Sequence, residues 1–277
     1  MQHIQLDDLL RRALAEDIGP GDITTLNTVP ASALSKGRFV AKEAGVVCGL
    51  AVLARVFALL DSTVVVTPLV ADGDRVEVGT VIAEIVGPAR AVLQGERVAL
   101  NLIQRLSGIA TRTAEAVAQA AGTGTKICDT RKTTPGLRFL EKYAVKTGGG
   151  ANHRFGLFDG VLIKDNHIVA AGGITAAVAA VRGNVPHTVK IEVETTSLAE
   201  VEEALAAGAD IIMLDNMDFA AMREAVRLIG GRAITEASGN MGDRSLRDVA
   251  ETGVDFISIG ALTHTVRAMD ISLRFSE

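Results

Sequence analysis

The sequence predicts an α/β protein whose larger part is an open, incomplete β/α barrel, and three observations predict it. From Lys126 onward, short β-branched runs alternate with Ala/Glu-rich helical segments, the rhythm of a parallel sheet with crossover helices. The β runs are apolar in the body and mostly end in a charged or polar residue, as strands do when their C-terminal ends converge on one mouth. Six such runs are present, which falls short of a closed eight-stranded barrel.

The elements follow in order. Leu6, Leu9, Leu10, Ala13 and Leu14 fall at helical spacing and predict an amphipathic first helix, which Gly19-Pro20-Gly21-Asp22 breaks. Short β-rich runs separated by Gly and Asp extend from Gly37 to Val47 and from Thr63 to Val92. Within them, ADGDRVEVGTVIAEIVGPARAVL resembles the hammerhead hairpin of biotinyl and lipoyl carriers. It has no lysine at a turn to carry the group, and it reads as a small sheet with glycine turns. Gly95 to Ala121 reads as a helix with Leu100, Ile103 and Leu106 on one stripe. Ser107-Gly108 is predicted to interrupt that helix as a hinge dividing 1–107 from 108–263. The predicted barrel strands are Lys126–Thr130, Gly160–Lys164, Thr188–Glu194, Asp210–Asp215, Arg232–Ser238 and Val254–Gly260. Helices such as SLAEVEEALAAG and DFAAMREAVRLIG lie between them and stop at Gly208 and Gly230.

Bulk properties exclude several classes. The 277 residues carry a formal net charge of −5, with 48% hydrophobic and 22% charged residues, the profile of a globular domain or two. No apolar run is long enough to span a bilayer, and MQHIQLDDLLRRALAED has no apolar core of a secretory signal. Cys48 and Cys128 are the only cysteines, which suits a reducing, cytoplasmic setting. Trp is absent and Tyr143 is the sole tyrosine, so with the acidic balance no nucleic-acid partner is expected, and without a spanning run no membrane partner is expected either.

Against that acidic background, Lys126 to Lys164 carries eight Lys/Arg and three acids, a local device for small anions. DTRKT sets Arg131, a planar fork, beside Lys132, a point charge. GGGANHR offers three glycines for close backbone approach to a ligand, then His153 and Arg154. Lys164 ends a strand, where it pairs with a neighbouring acid or meets an anion; His167 reads as structural. Glu194, Asp215 and Glu236 recur every 21 residues at strand ends. The first two remain open as acid/base groups, metal ligands, or partners for hydroxyls and developing positive charge. Ser238-Gly239-Asn240 and Ile259-Gly260-Ala261, at late strand ends, offer bare backbone N–H groups suited to a phosphate.

The segments EDIGPGDITT, GERVALNLIQRLSGIATRT, DTRKTTPGLR, EKYAVKTGGGANHRFGL, LIKDNHI, GADIIMLDN and ETGVDFISIGALTH together resemble the quinolinate phosphoribosyltransferase family, from about Ile4 to Phe275. The resemblance implies a type II phosphoribosyltransferase-like fold: an N-terminal α/β sandwich and an open barrel of about seven strands. Residues 264–277 would return to the first domain, which the alternation of Ile271, Leu273 and Phe275 fits. It implies transfer of the phosphoribosyl group of phosphoribosyl pyrophosphate to quinolinate, giving nicotinate mononucleotide, pyrophosphate and CO₂, with Mg²⁺, in de novo NAD synthesis. Carried over by motif, Arg131, His153, Arg154 and Lys164 look like quinolinate ligands, Thr130 is expected to bind substrate beside them, and Lys132 is similar to the family lysine near the reacting carboxylate and pyrophosphate. Glu194 and Asp215 resemble the catalytic acids beside the ribose and metal, with metal contact expected to be indirect. Ser238, Gly239, Asn240, Ile259, Gly260 and Ala261 match the phosphate loops. Arg97 in GERVALN resembles an arginine that reaches a neighbouring subunit's site, which implies a homodimer with shared active sites and, beyond it, a hexamer of dimers. Two local departures are Thr134, where the family often has Leu, and the residues around Glu194 in IEVETTSL. Other readings are a paralogue linked to molybdate transport, a nicotinate-using transferase, and a non-catalytic anion-binding barrel.

Overall fold

The computed structural model describes residues 4–276, which fall into two compact units, 4–112 with 266–276, and 113–265. The first unit opens with α1 (Ile4–Ile18) and the short α2 (Ile23–Thr28). Asp22 caps α2 by accepting from the amides of Thr24 and Thr25. Then come β1 (Leu34–Ala41), β2 (Gly45–Val46), α3 (Leu50–Leu60), β3 (Val65–Pro68), β4 (Arg75–Val76) and β5 (Val81–Pro88). Sequence reading missed α3, because LAVLARVFALL has almost no polar residue to mark a helical period. Its start is set by Gly49 in the left-handed region and by Asp72, which accepts from the amides of Gly49 and Leu50.

Helix α4 (Ala89–Gln119) runs unbroken through Ser107-Gly108, so the predicted hinge is not there. Both residues are small for packing reasons. The Ser107 hydroxyl accepts from the Cys48 amide, and a Cβ on Gly108 would meet the Arg267 carbonyl oxygen at 2.2 Å. The unit boundary, Arg112/Thr113, falls inside the helix instead.

In the second unit the order is β6 (Lys126–Cys128), α5 (Arg138–Thr147), β7 (Val161–Ile163), α6 (Asp165–Ala171), α7 (Ile174–Arg182), β8 (Ile191–Thr195), α8 (Leu198–Ala206), β9 (Ile211–Asp215), α9 (Phe219–Ile229), β10 (Ile234–Ser238), α10 (Leu246–Ala250), β11 (Phe256–Ser258) and α11 (Ala261–His264). The last strand, β12 (Ile271–Ser276), pairs antiparallel with β1 in a first-unit sheet of order β12-β1-β5-β3. The second-unit sheet is parallel, ordered β6-β11-β10-β9-β8-β7. Six named strands stand where about seven were expected. The place of a seventh is taken by Ala151 alone, which bridges Cys128 on the free edge of β6. Cys128 of the edge strand β6 and Val161 of the edge strand β7 nonetheless line one cavity, so the sheet is curled into a barrel left open between them.

Alternation along each strand sorts the side chains. Val193, Ile212, Leu214 and Ala237 are wholly buried under the helices. Glu192 and Glu194 on β8, Met213 and Asp215 on β9, and Glu236 and Ser238 on β10 line cavities inside the barrel.

Candidate active site

A cavity of about 530 Å³ opens at the C-terminal ends of the barrel strands. It is lined by Thr130, Arg131 and Lys132 after β6, by His153 and Arg154, and by Lys164, Glu194, Asp215, Ser238, Gly239 and Asn240 at successive strand ends. Among the described residues, Ile259, Gly260, Ala261 and Arg97 do not line it. Gly260 packs behind one residue that does: a Cβ there would meet the Lys132 stem at 2.8 Å. Ile259 is buried and its amide donates to the Cys128 carbonyl, so it has no N–H to offer a phosphate. Gly239 and Asn240 both adopt positive φ, and a Cβ on Gly239 would meet the Asn216 side chain at 2.2 Å, so the loop needs glycine there.

The cationic groups sort into two kinds. Lys142 is buried and bonds Asp129 at 2.5 Å, and Lys126 lies over the Phe256 ring. Arg138 donates to Thr133 and to the carbonyls of Arg131 and Phe155, bracing both cationic loops. Lys146 is exposed on α5, and the remaining four, Arg131, Lys132, Arg154 and Lys164, face the cavity. The Nε atoms of Arg131 and Arg154 are buried without a hydrogen-bond partner. Burial, and then the Arg131 charge, pulls Arg154 below the usual guanidinium range. Two cations that repel each other beside unfilled donors form a site built for an anion.

The glycine run does something other than cradle a ligand. Gly148 closes α5, Gly149 turns at φ +90, and Gly150 packs where a Cβ would meet Thr113 and Val145 at 2.8 Å. The run delivers Ala151 to the edge of β6 and so places the next three residues. Asp129, fully buried, then accepts from Lys142 Nζ, Asn152 Nδ2 and the His153 amide. Burial pushes the Asp129 carboxyl up, and those donors pull against it.

Lys164 pairs with Glu194 at 2.5 Å, and His167 caps the same strand end by accepting from the Lys164 amide. The 21-residue recurrence does not place its members at one level. The ladder aligns Glu194 with Met213 and Met213 with Glu236, while Asp215 aligns with Ser238. Asp215 therefore sits above Glu194, and Glu236 lies deeper, only 4% exposed. There it meets two neighbours. His153 Nε2 is 3.1 Å from Glu192 and 3.7 Å from Glu236. His153 Nδ1 accepts from the Arg154 amide, so both ring nitrogens face protein groups. Burial lowers the imidazole, but the Glu192 hydrogen bond and the charges of Glu192 and Glu236 outweigh it and raise it.

Two family models match the chain: the N-terminal domain of quinolinate phosphoribosyl transferase over residues 22–107 and its C-terminal domain over residues 109–274. The chain belongs to the quinolinate phosphoribosyl transferase family. It is 50% identical over 273 residues to a Bacillus subtilis protein named as a probable carboxylating nicotinate-nucleotide pyrophosphorylase, covering 99% of this chain and 94% of that one. It is 48% identical to the Synechocystis protein of the same name, covering 98% and 92%. The NadC structure of Streptococcus pyogenes, 44% identical, superposes with a TM-score of 0.94 over 100% of this chain and 99% of that one.

Eleven of the residues carried over by motif, from Thr130 to Asn240, line this cavity, and the groups behind them carry no motif signal. Asp129, Lys142 and Asn152 hold the His153-Arg154 loop, yet DTRK and EKY advertise solvated charges rather than a buried pair. Glu192, two residues before a strand-end acid, carries no motif. The signal that could have found it is inward alternation with Glu194. Arg97 is exposed on α4 in the first unit.

Proposed function

We propose that this chain transfers the phosphoribosyl group of phosphoribosyl pyrophosphate to quinolinate and releases CO₂, giving nicotinate mononucleotide and pyrophosphate. The observation that carries the reading is the pair Arg131 and Arg154, each with a buried, unpartnered Nε facing one cavity. A vicinal dicarboxylate fills two guanidinium forks at once, and Lys164 stands by as a third cation. The Ser238-Gly239-Asn240 loop across the mouth suits the 5′-phosphate, because the amides of Gly239 and Asn240 donate to no protein acceptor among the described residues.

The chemistry follows from these positions. As the bond to pyrophosphate breaks, positive charge develops on the ribose, and the carboxylates of Glu194 and Asp215 face the space where it would sit. The pairing with Glu194 keeps the Lys164 ammonium at the mouth, and Lys132, anchored by its amide to Thr130 and by its carbonyl to Thr263, presents its charge to the leaving anion. Glu194 and Asp215 also fit Mg²⁺ brought in on the pyrophosphate, since that ion commonly takes one or two carboxylates and completes its shell with phosphate and water. When bound, Mg²⁺ would supply charge neutralisation to the leaving group. Once the ring nitrogen is ribosylated it is cationic, and the adjacent carboxylate can depart with its electrons held beside N⁺.

The direct test is CO₂ release from quinolinate. Release that requires phosphoribosyl pyrophosphate and Mg²⁺, with one nicotinate mononucleotide per CO₂, is expected. Tight quinolinate binding without release would leave only an anion-binding barrel. We further propose a homodimer in which Arg97 completes a partner's site. Mixing Arg97→Ala with Arg154→Ala, each strongly impaired alone, should then raise activity above either through hybrid dimers. No recovery after demonstrated subunit exchange would exclude sharing.

A further inference from the structure

The barrel holds a second cavity, of about 420 Å³, below the mouth. It is lined by Glu192, Ile211, Ile234 and Phe256 on the inner strand faces, and its lower end carries the exposed Thr188 and Lys190. His153, Arg154 and Glu236 line both this cavity and the mouth. Between the two lies the cluster of His153 Nε2, Glu192 and Glu236, whose ligand-capable atoms are all within 4.8 Å of one another. Oε1 of Glu192 and Oε1 of Glu236 are both buried without a hydrogen-bond partner.

Two carboxylates this close, this dry, and served by one ring N–H need a further cation, and the simplest is a proton. Burial first, then the Glu192 charge, raises the Glu236 carboxyl to about 7, against the opposing pull of His153 and the Ser258 hydroxyl. The other groups around it are Asp129 and Cys128 on the β6 side and Lys142 from α5. Asp129 raises Glu236 further, and Glu236 in turn helps hold the Cys128 thiol well above its ordinary value. The cluster titrates as one unit.

We infer that Glu236 is the proton donor for the last step of the reaction, resting on the phosphoribosyl transfer proposed above. Loss of CO₂ breaks the bond between C2 and its carboxylate and leaves the electron pair on C2, beside the cationic ring nitrogen. The O–H bond of Glu236 then breaks and its proton bonds to C2, giving nicotinate mononucleotide. Glu236 remains as a carboxylate, next to the His153 N–H, and regains a proton from water entering through the lower cavity. This assigns that cavity a role the substrates at the mouth do not need.

Single-turnover rapid quench, with pyrophosphate and nicotinate mononucleotide measured separately, tests the assignment. Glu236→Gln keeps the shape and removes the proton. Pyrophosphate should still form within about twofold of the wild-type rate, while mononucleotide formation slows on the order of 10²-fold. Glu236→Asp should recover part of that loss. Mononucleotide formed at the wild-type rate by Glu236→Gln, or both products slowed equally, would overturn it. If the variants fail to fold, the wild type decides. Raising the pH through neutrality should slow mononucleotide formation relative to pyrophosphate, and a constant ratio would overturn the assignment. Wild-type protein that makes neither product is a different result, and it removes the parent reading as well.

Discussion

Arg131→Ala and Arg154→Ala are each expected to lower kcat/KM for quinolinate by about 2–5 kcal/mol of transition-state binding, roughly 30- to 5,000-fold, while the protein stays folded. The energy is large because each guanidinium meets its carboxylate in a partly buried cavity, where an unpaired charge has little water to fall back on. The same geometry predicts the opposite sign for stability. In the ligand-free protein each arginine repels the other, and each has a buried Nε with no partner. Arg154 also donates to the Gly160 carbonyl, whereas Arg131 makes no side-chain hydrogen bond among the described residues, so removing Arg131 relieves the repulsion at no cost in bonds and the thermal midpoint of Arg131→Ala should equal or exceed that of the wild type. Steady-state kinetics and a melting curve on the same preparation check both halves. Near-normal turnover would remove the arginine from quinolinate binding, and a lower midpoint would show that it also supports the fold.

The mouth declares itself in the sequence, and the packing behind it does not. The barrel was legible because apolar runs with polar ends repeat once per β/α unit, and those ends project into one mouth whatever the packing behind them. The floor was not legible. Glu192 and Glu236 read as a strand residue and a member of a 21-residue series, and only the ladder register, Glu194 with Met213 and Met213 with Glu236, puts Glu236 a layer below Asp215. Helix α3 was lost because helical period is visible only when polar residues mark one face, and Leu50–Leu60 has a single arginine. The GGG run misled for a related reason. Glycine reports a backbone need, and that need was the end of α5 and close packing on Val145 rather than a ligand. Ser107-Gly108 was equally ambiguous, since a small pair can break a helix or admit a neighbouring carbonyl, and here it does the second.

Lys142→Met is expected to cost about 3–5 kcal/mol of folding free energy, because it leaves the fully buried Asp129 carboxylate without its counter-charge. The loss should appear as a lower urea midpoint at neutral pH. It should shrink in acid, where Asp129 takes up a proton: burial holds its carboxyl above the ordinary value, and losing the lysine can only raise it further. A second substitution separates charge from position. In Asp129→Leu with Lys142→Met the uncompensated charge is gone, and an apolar pair of similar volume can be as stable as the ion pair it replaces, so much of the midpoint should return. Quinolinate turnover should not return. Asp129 also accepts from Asn152 and from the His153 amide, and Lys142 holds the His153 carbonyl, so the double variant folds without the three bonds that fix the His153 end of the loop presenting Arg154. A double variant as active as the wild type would mean that the glycine-terminated helix and the Ala151 bridge alone position that loop. A single variant as stable as the wild type would mean that the buried pair is neutral in the folded protein.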